Sequence, residues 1–103
     1  MANATTVNTI ETIRSALREF ASNHGWAESD YVFLVDPGAW NDIHVRIGAR
    51  AFDQGQSREA LTREIWEFIR DRLPHHEFSR ISLFGCDPLE RFKMLYADYL
   101  QEN

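Results

Sequence analysis

A chain of 103 residues with 44% hydrophobic and 13% aromatic content carries enough apolar surface for one compact domain, which excludes a disordered polyelectrolyte. Its 11 basic against 16 acidic residues leave a net charge of -5, which repels polyanions and disfavours general nucleic-acid binding. No apolar run approaches the roughly 20 residues that span a bilayer, and one cysteine excludes an intramolecular disulfide. With no charged-then-apolar leader ahead of the first helical pattern, a reducing cytoplasm is the expected setting.

Residues 1–6 are small and polar and are expected to fray. After them Val7, Ile10, Ile13, Leu17, Phe20 and Ala21 recur at three- and four-residue steps, the mark of an amphipathic helix. Asn8 and Glu11 have the spacing of a capping box, and Gly25 predicts a stop near His24 with Trp26 folding back on Phe20 or Ala21. Tyr31 to Val35 is a short β-favouring run bounded by Asp30 and by Asp36-Pro37-Gly38, and reads as a buried strand. The next segment alternates, with Ile43, Val45 and Ile47 on one face and Asp42, His44, Arg46 and Gly48 on the other. The Pro-Gly chemistry between the two predicts an antiparallel hairpin with Trp40 near its tip.

Ser57 has the chemistry of an N-cap for a second helix that carries Leu61, Ile65, Phe68, Ile69 and Leu73 on one side and ends before Pro74. A polar turn at His75, His76 and Glu77 leads to a third strand at Ile81 to Phe84. Asp87 as cap, Pro88 at the first position and Glu90 predict a last helix, with Leu89, Phe92, Leu95, Tyr96 and Tyr99 as its buried stripe. The order is therefore α-β-β-α-β-α. It predicts a single α+β domain over 1–103, a two-layer sandwich whose three-stranded mixed sheet has helices on one face; if strands two and three run parallel, a right-handed crossover through the second helix joins them.

That order, with His44 to Ile47, Phe52, Gly55 to Ser57 and Asp87 to Glu90, resembles the BolA family over roughly residues 30–92. The resemblance implies a fold related to type II KH domains and partnership with a monothiol glutaredoxin through a shared iron-sulfur cluster. The family's cluster-binding histidine at the third strand has no counterpart here, where the chain reads Ser79-Arg80-Ile81-Ser82. Its Arg-His pair early in the central helix is replaced by Leu61-Thr62-Arg63, and the Gly-x-x-Gly loop of KH domains is absent.

Among residues able to carry chemistry, Asp42, His44 and Arg46 share the polar face of the second strand, with Arg50 continuing that side. Such a face receives a carboxylate or phosphate through arginine, or is a solvated sheet face holding one ion pair. Trp40 at a hairpin tip either anchors a partner or folds over the edge of its own sheet. Cys86 before a helix start has the place of a reactive thiol, although Asp87 beside it disfavours the thiolate. His75, His76 and Glu77 lack zinc spacing, and no cofactor or metal is called for. No nucleophile elbow or phosphate loop occurs, so catalysis through Cys86 or His44 is the minor alternative. The leading expectation is a non-catalytic protein-interaction or regulatory module that binds through Trp40, His44, Arg46 and Arg50, its partner a second protein or, through open sheet edges, a second copy.

Overall fold

In the computed structural model, which describes residues 4–54 and 58–101, the first helix α1 runs Ala4–Asn23. Ile10, Ile13, Ala16, Leu17 and Phe20 are buried along one stripe, while Val7, expected in that stripe, is half exposed. The helix begins before the expected cap: Asn8 lies inside it, its carbonyl accepting the Thr12 hydroxyl at 3.0 Å. Residues 4–6, expected to fray, are helical, and Thr6 is fully buried. The helix ends as expected. Gly25 takes φ 69°, the Trp26 N–H donates to the Ala21 carbonyl (2.9 Å) and the Gly25 N–H to that of Ser22 (3.1 Å), a Schellman closure that brings Trp26 edge-on to Phe20.

The strands β1 (Tyr31–Pro37) and β2 (Ile43–Ala49) pair antiparallel, Phe33 opposite Ile47 and Val35 opposite Val45, forming the expected hairpin. Helix α2 (Arg58–Arg70) then crosses the sheet, and the one-turn helix α3 (His75–Phe78) stands where a polar turn was expected. Strand β3 (Ile81–Pro88) pairs parallel with β2, so the mixed sheet has the order β1-β2-β3 with β2 at its centre. The fold is thus α+β with a three-stranded mixed sheet. Among the described residues no helix is long and apolar enough to cross a membrane.

Ile43, Val45 and Ile47 have no exposed surface and meet α1 and the buried Ile65 and Ile69 of α2 in one core, with Leu61, Phe68 and Leu73 packed against it. Each such aliphatic side chain contributes about 1.5–3 kcal/mol by leaving water. Ser57, the expected cap of α2, lies outside the described residues.

The C-terminal region departs from expectation in three ways. Residues 85–88, assigned to the start of a helix, continue β3, and Asp87 caps nothing but lies 3.4 Å from Arg58 and 3.8 Å from Arg91. The last helix is divided at Tyr96 into α4 (Leu89–Leu95) and α5 (Ala97–Gln101), and of its stripe only Leu89 and Phe92 are buried, Leu95 and Tyr99 being exposed. The two long helices lie on one face of the sheet, but α4 closes on the other, at Gly48. A β-carbon on Gly48 would stand 2.5 Å from that of Phe92, so the helix packs here only because the strand has no side chain to meet it. Gly48→Ala is therefore expected to lower stability by about 1–3 kcal/mol, read as a drop in the urea midpoint, with α4 becoming the first site of limited proteolysis.

Candidate functional site

The hairpin tip, residues 38–42, is held by more bonds than a connecting loop needs. Asn41 takes the left-handed conformation at φ 64°, which asparagine tolerates better than most side chains. Its side-chain oxygen accepts the Thr6 hydroxyl at 2.7 Å, and its carbonyl accepts both Nε (3.1 Å) and Nη2 (2.6 Å) of Arg80, which also donates to Thr6. Nearby, the buried Thr9 hydroxyl donates to Glu77 at 2.6 Å, tying α3 to the first turns of α1. Thr6 and Thr9 are polar yet fully buried because these partners replace water.

Asp42 closes the tip from the other side. Its Oδ1 accepts the Trp40 N–H at 3.2 Å, its Oδ2 accepts the Ser82 hydroxyl and lies 3.3 Å from His44 Nε2, and its backbone carbonyl accepts the Gly38 N–H at 2.8 Å. The carboxylate occupies the space a β-carbon on Gly38 would need, 2.6 Å from Asp42 Cγ, so the tip closes only with glycine there. Donation from Ser82 above all, then from the Trp40 backbone, with the charge of His44, holds the Asp42 carboxyl below its usual value of 3.8 against the opposing effect of desolvation. Trp40 itself is 90% exposed and does not fold over its sheet. A large apolar ring thus stands in water on a loop whose backbone is pinned at four points.

His44 and Arg46 project from the sheet face opposite the core, His44 half-buried beside Asp42 and Arg46 with its guanidinium 5.4 Å from the Tyr96 ring centre. The ion pair on this face is local, His44 with Asp42 just ahead of the strand, rather than between two strands. Arg50 does not continue this face: it lies in the 3-10 turn after β2 and reaches Asp30 (3.3 Å) and Glu90 (3.8 Å) at the opposite end of the sheet. Trp40, Asp42, His44 and Arg46 therefore follow one another along a surface that Arg50 leaves.

Cys86 faces α2, on the side of the sheet opposite His44, so the two cannot act on one substrate atom. Buried at the inner end of a groove, its thiol is pushed up to about 11, chiefly by desolvation and slightly by Asp87, against the lowering effects of Thr62 and Arg58. It is a neutral thiol at physiological pH rather than a nucleophile. His75 and His76 are exposed on α3, and among the described residues no cluster of histidine, cysteine and carboxylate side chains could hold a metal ion.

Sequence reasoning missed the groove itself. It has a volume of about 650 Å³ and runs between α2 and β3, walled by Arg58, Thr62, Arg63 and Trp66 and by Phe84 and Cys86. Trp66 packs edge-on to Phe84 (5.0 Å) and to Phe78 (4.5 Å). The signal was present: positions 58, 59, 62, 63 and 66 form a second stripe on α2, turned from the Leu61–Ile65–Ile69 stripe and ending in a tryptophan.

Two measurements test these assignments. With Trp26 and Trp66 replaced by phenylalanine, the anisotropy of Trp40 should fall on Asp42→Asn. In the parent it should hold above pH 3.8 and fall at lower pH, because a depressed carboxyl contributes its stabilisation above the unfolded value and loses it as pH drops through the folded one. For Cys86 the sign is reversed: a raised folded value leaves stability intact below pH 9.0 and erodes it toward about 11. That alkaline loss should shrink in Cys86→Ser, and iodoacetamide at pH 8 should label the native thiol at least tenfold more slowly than the urea-unfolded one.

No family model, no curated protein and no solved structure matches this chain.

Proposed function

We infer that the protein is a non-catalytic interaction module whose recognition surface is the hairpin tip and the strand face beside it, with Trp40 as the anchor residue. The observation that carries this reading is a tryptophan 90% exposed on a loop immobilised by Asp42, Asn41, Thr6 and Arg80. An exposed aromatic ring on a preorganised backbone loses little conformational freedom when a partner covers it, and tryptophan and arginine dominate the energetics of protein interfaces. His44, Arg46 and Tyr96 extend the surface with polar and aromatic groups along the same side of the sheet. The one thiol is buried and held neutral, so Cys86 gives no support to a cysteine-based catalyst.

The BolA-like alternative, a redox partner of a monothiol glutaredoxin acting through Cys86 or His44, rests on the element order and the short segments His44 to Ile47, Phe52, Gly55 to Ser57 and Asp87 to Glu90. The buried thiol and the Asp42–His44 pairing offer it no open ligand.

The test is a photo-crosslinking amino acid at position 40, identification of the captured protein, and titration of that protein in purified form. Trp40→Ala should weaken the purified interaction by at least about 30-fold, the roughly 2 kcal/mol of a hot-spot residue, with an unchanged urea midpoint. Arg46→Ala should weaken it by a smaller factor. Equal binding of the parent and Trp40→Ala proteins would remove this surface from consideration.

A further inference from the structure

We propose that the groove between α2 and β3 receives an extended, acidic segment of a partner protein, which adds to the sheet as a fourth strand beside β3. The groove is a separate surface from the Trp40 tip.

Three observations converge on that occupant. The sheet ends at β3, so its outer edge has no strand partner among the described residues. Backbone groups alternate in direction along a strand, and the Cys86 carbonyl points outward, because Arg58 Nη2 reaches it at 2.6 Å. The N–H and C=O of Phe84, two residues earlier, therefore point to the same outer edge, away from β2. This is the arrangement of helix and edge strand in which extended peptides are bound by main-chain hydrogen bonds, with pockets for alternate side chains.

The floor of the groove supplies such a pocket, as Trp66 and Phe84 meet edge-to-face at 5.0 Å beneath the opening. An apolar side chain of the incoming strand would cover them. Charge sets the rest of the chemistry. In a chain of net charge -5, the walls of the groove carry Arg58 and Arg63 against Glu59. Arg58 and Arg91 share Asp87, whereas Arg63, exposed on the rim, makes no ion pair among the described residues. An acidic side chain flanking the buried apolar one would meet Arg63, the wall arginine left without an ion pair among the described residues. Arg58, seated on the Cys86 carbonyl, ends the open stretch, and the register shift at Ser82 begins it, so the groups turned outward for pairing are the N–H and C=O of Phe84 and the N–H of Cys86.

The probe is a fluorescent hexapeptide alternating glutamate with valine, compared by polarisation with its lysine-valine counterpart and with the same glutamate peptide N-methylated at every second amide. The glutamate peptide should bind the full chain at least tenfold more tightly than the lysine peptide. N-methylation in the pairing register and Arg63→Glu should each reduce that binding at least tenfold, and the amide resonances of Phe84 and Gly85 should shift on titration. Trp40→Ala should leave the affinity within twofold, which separates this site from the hairpin tip. Equal affinity for the two peptides, insensitivity to Arg63→Glu, or no binding at 1 mM would overturn the proposal. A mass that doubles with protein concentration and falls back on Arg63→Glu would also overturn it, by assigning the groove to a second copy.

Discussion

The central strand β2 is where the two sides of this molecule are separated. Ile43, Val45 and Ile47 are completely withdrawn from solvent under α1 and α2, and because a strand alternates its side chains, His44, Arg46 and Gly48 must emerge on the other side. A shift of one residue in the pairing would place a histidine and an arginine in the core and three branched aliphatic residues in water. The burial of those three therefore determines the register with β1 and β3 as well as the composition of the opposite face. That face is only partly covered. α4 reaches it at one end, over Gly48, and the rest is left to Asp42, His44 and Arg46.

The same register sets up the hairpin tip. With Asp36 opposite His44 and Pro37 opposite Ile43, the chain must reverse within residues 38–42, and the reversal is stabilised by groups distant in sequence. Arg80 and Ser82 follow α2 in the chain and Thr6 lies in the first turns of α1, so the tip is ordered only when α1, the hairpin and β3 have assembled. The polar groups at this end are buried without being orphaned, and their partners come from three separate parts of the chain, which makes the network specific in geometry. An exposed Trp40 on this support differs physically from a tryptophan on a free loop, since the ordering cost has been met during folding.

Cys86 shows how position in sequence can mislead about reactivity. Placed between an apolar run and Asp87-Pro88, it has the local signature of a thiol at a helix N-terminus. The strand instead continues through residues 85–88, and the alternation that brings Phe84 against Trp66 also turns Cys86 inward beneath α2. Desolvation then dominates its chemistry. A thiol that gains no stabilising dipole and loses water is held protonated.

What the sequence determined by itself is what local pattern and chain chemistry can specify. The 3.6-residue stripes of α1 and α2, the two-residue alternation of β2, the Gly25 stop and the Pro-Gly reversal each act within a few residues, and each is found where the pattern put it. The start of α1 and the end of β3 were decided by tertiary partners: Thr6 and Thr9 draw the helix back toward residue 4, and pairing with Ala49 holds Pro88 in the strand. Trp40, His44 and Arg46 were legible as a surface because alternation and turn chemistry place them. Arg50 was not, since a 3-10 turn after β2 carries it out of the strand period. The α2–β3 groove belongs wholly to the tertiary structure, because its walls lie about twenty residues apart and meet only when β3 pairs in parallel beside β2 and thereby passes beneath the second stripe of α2.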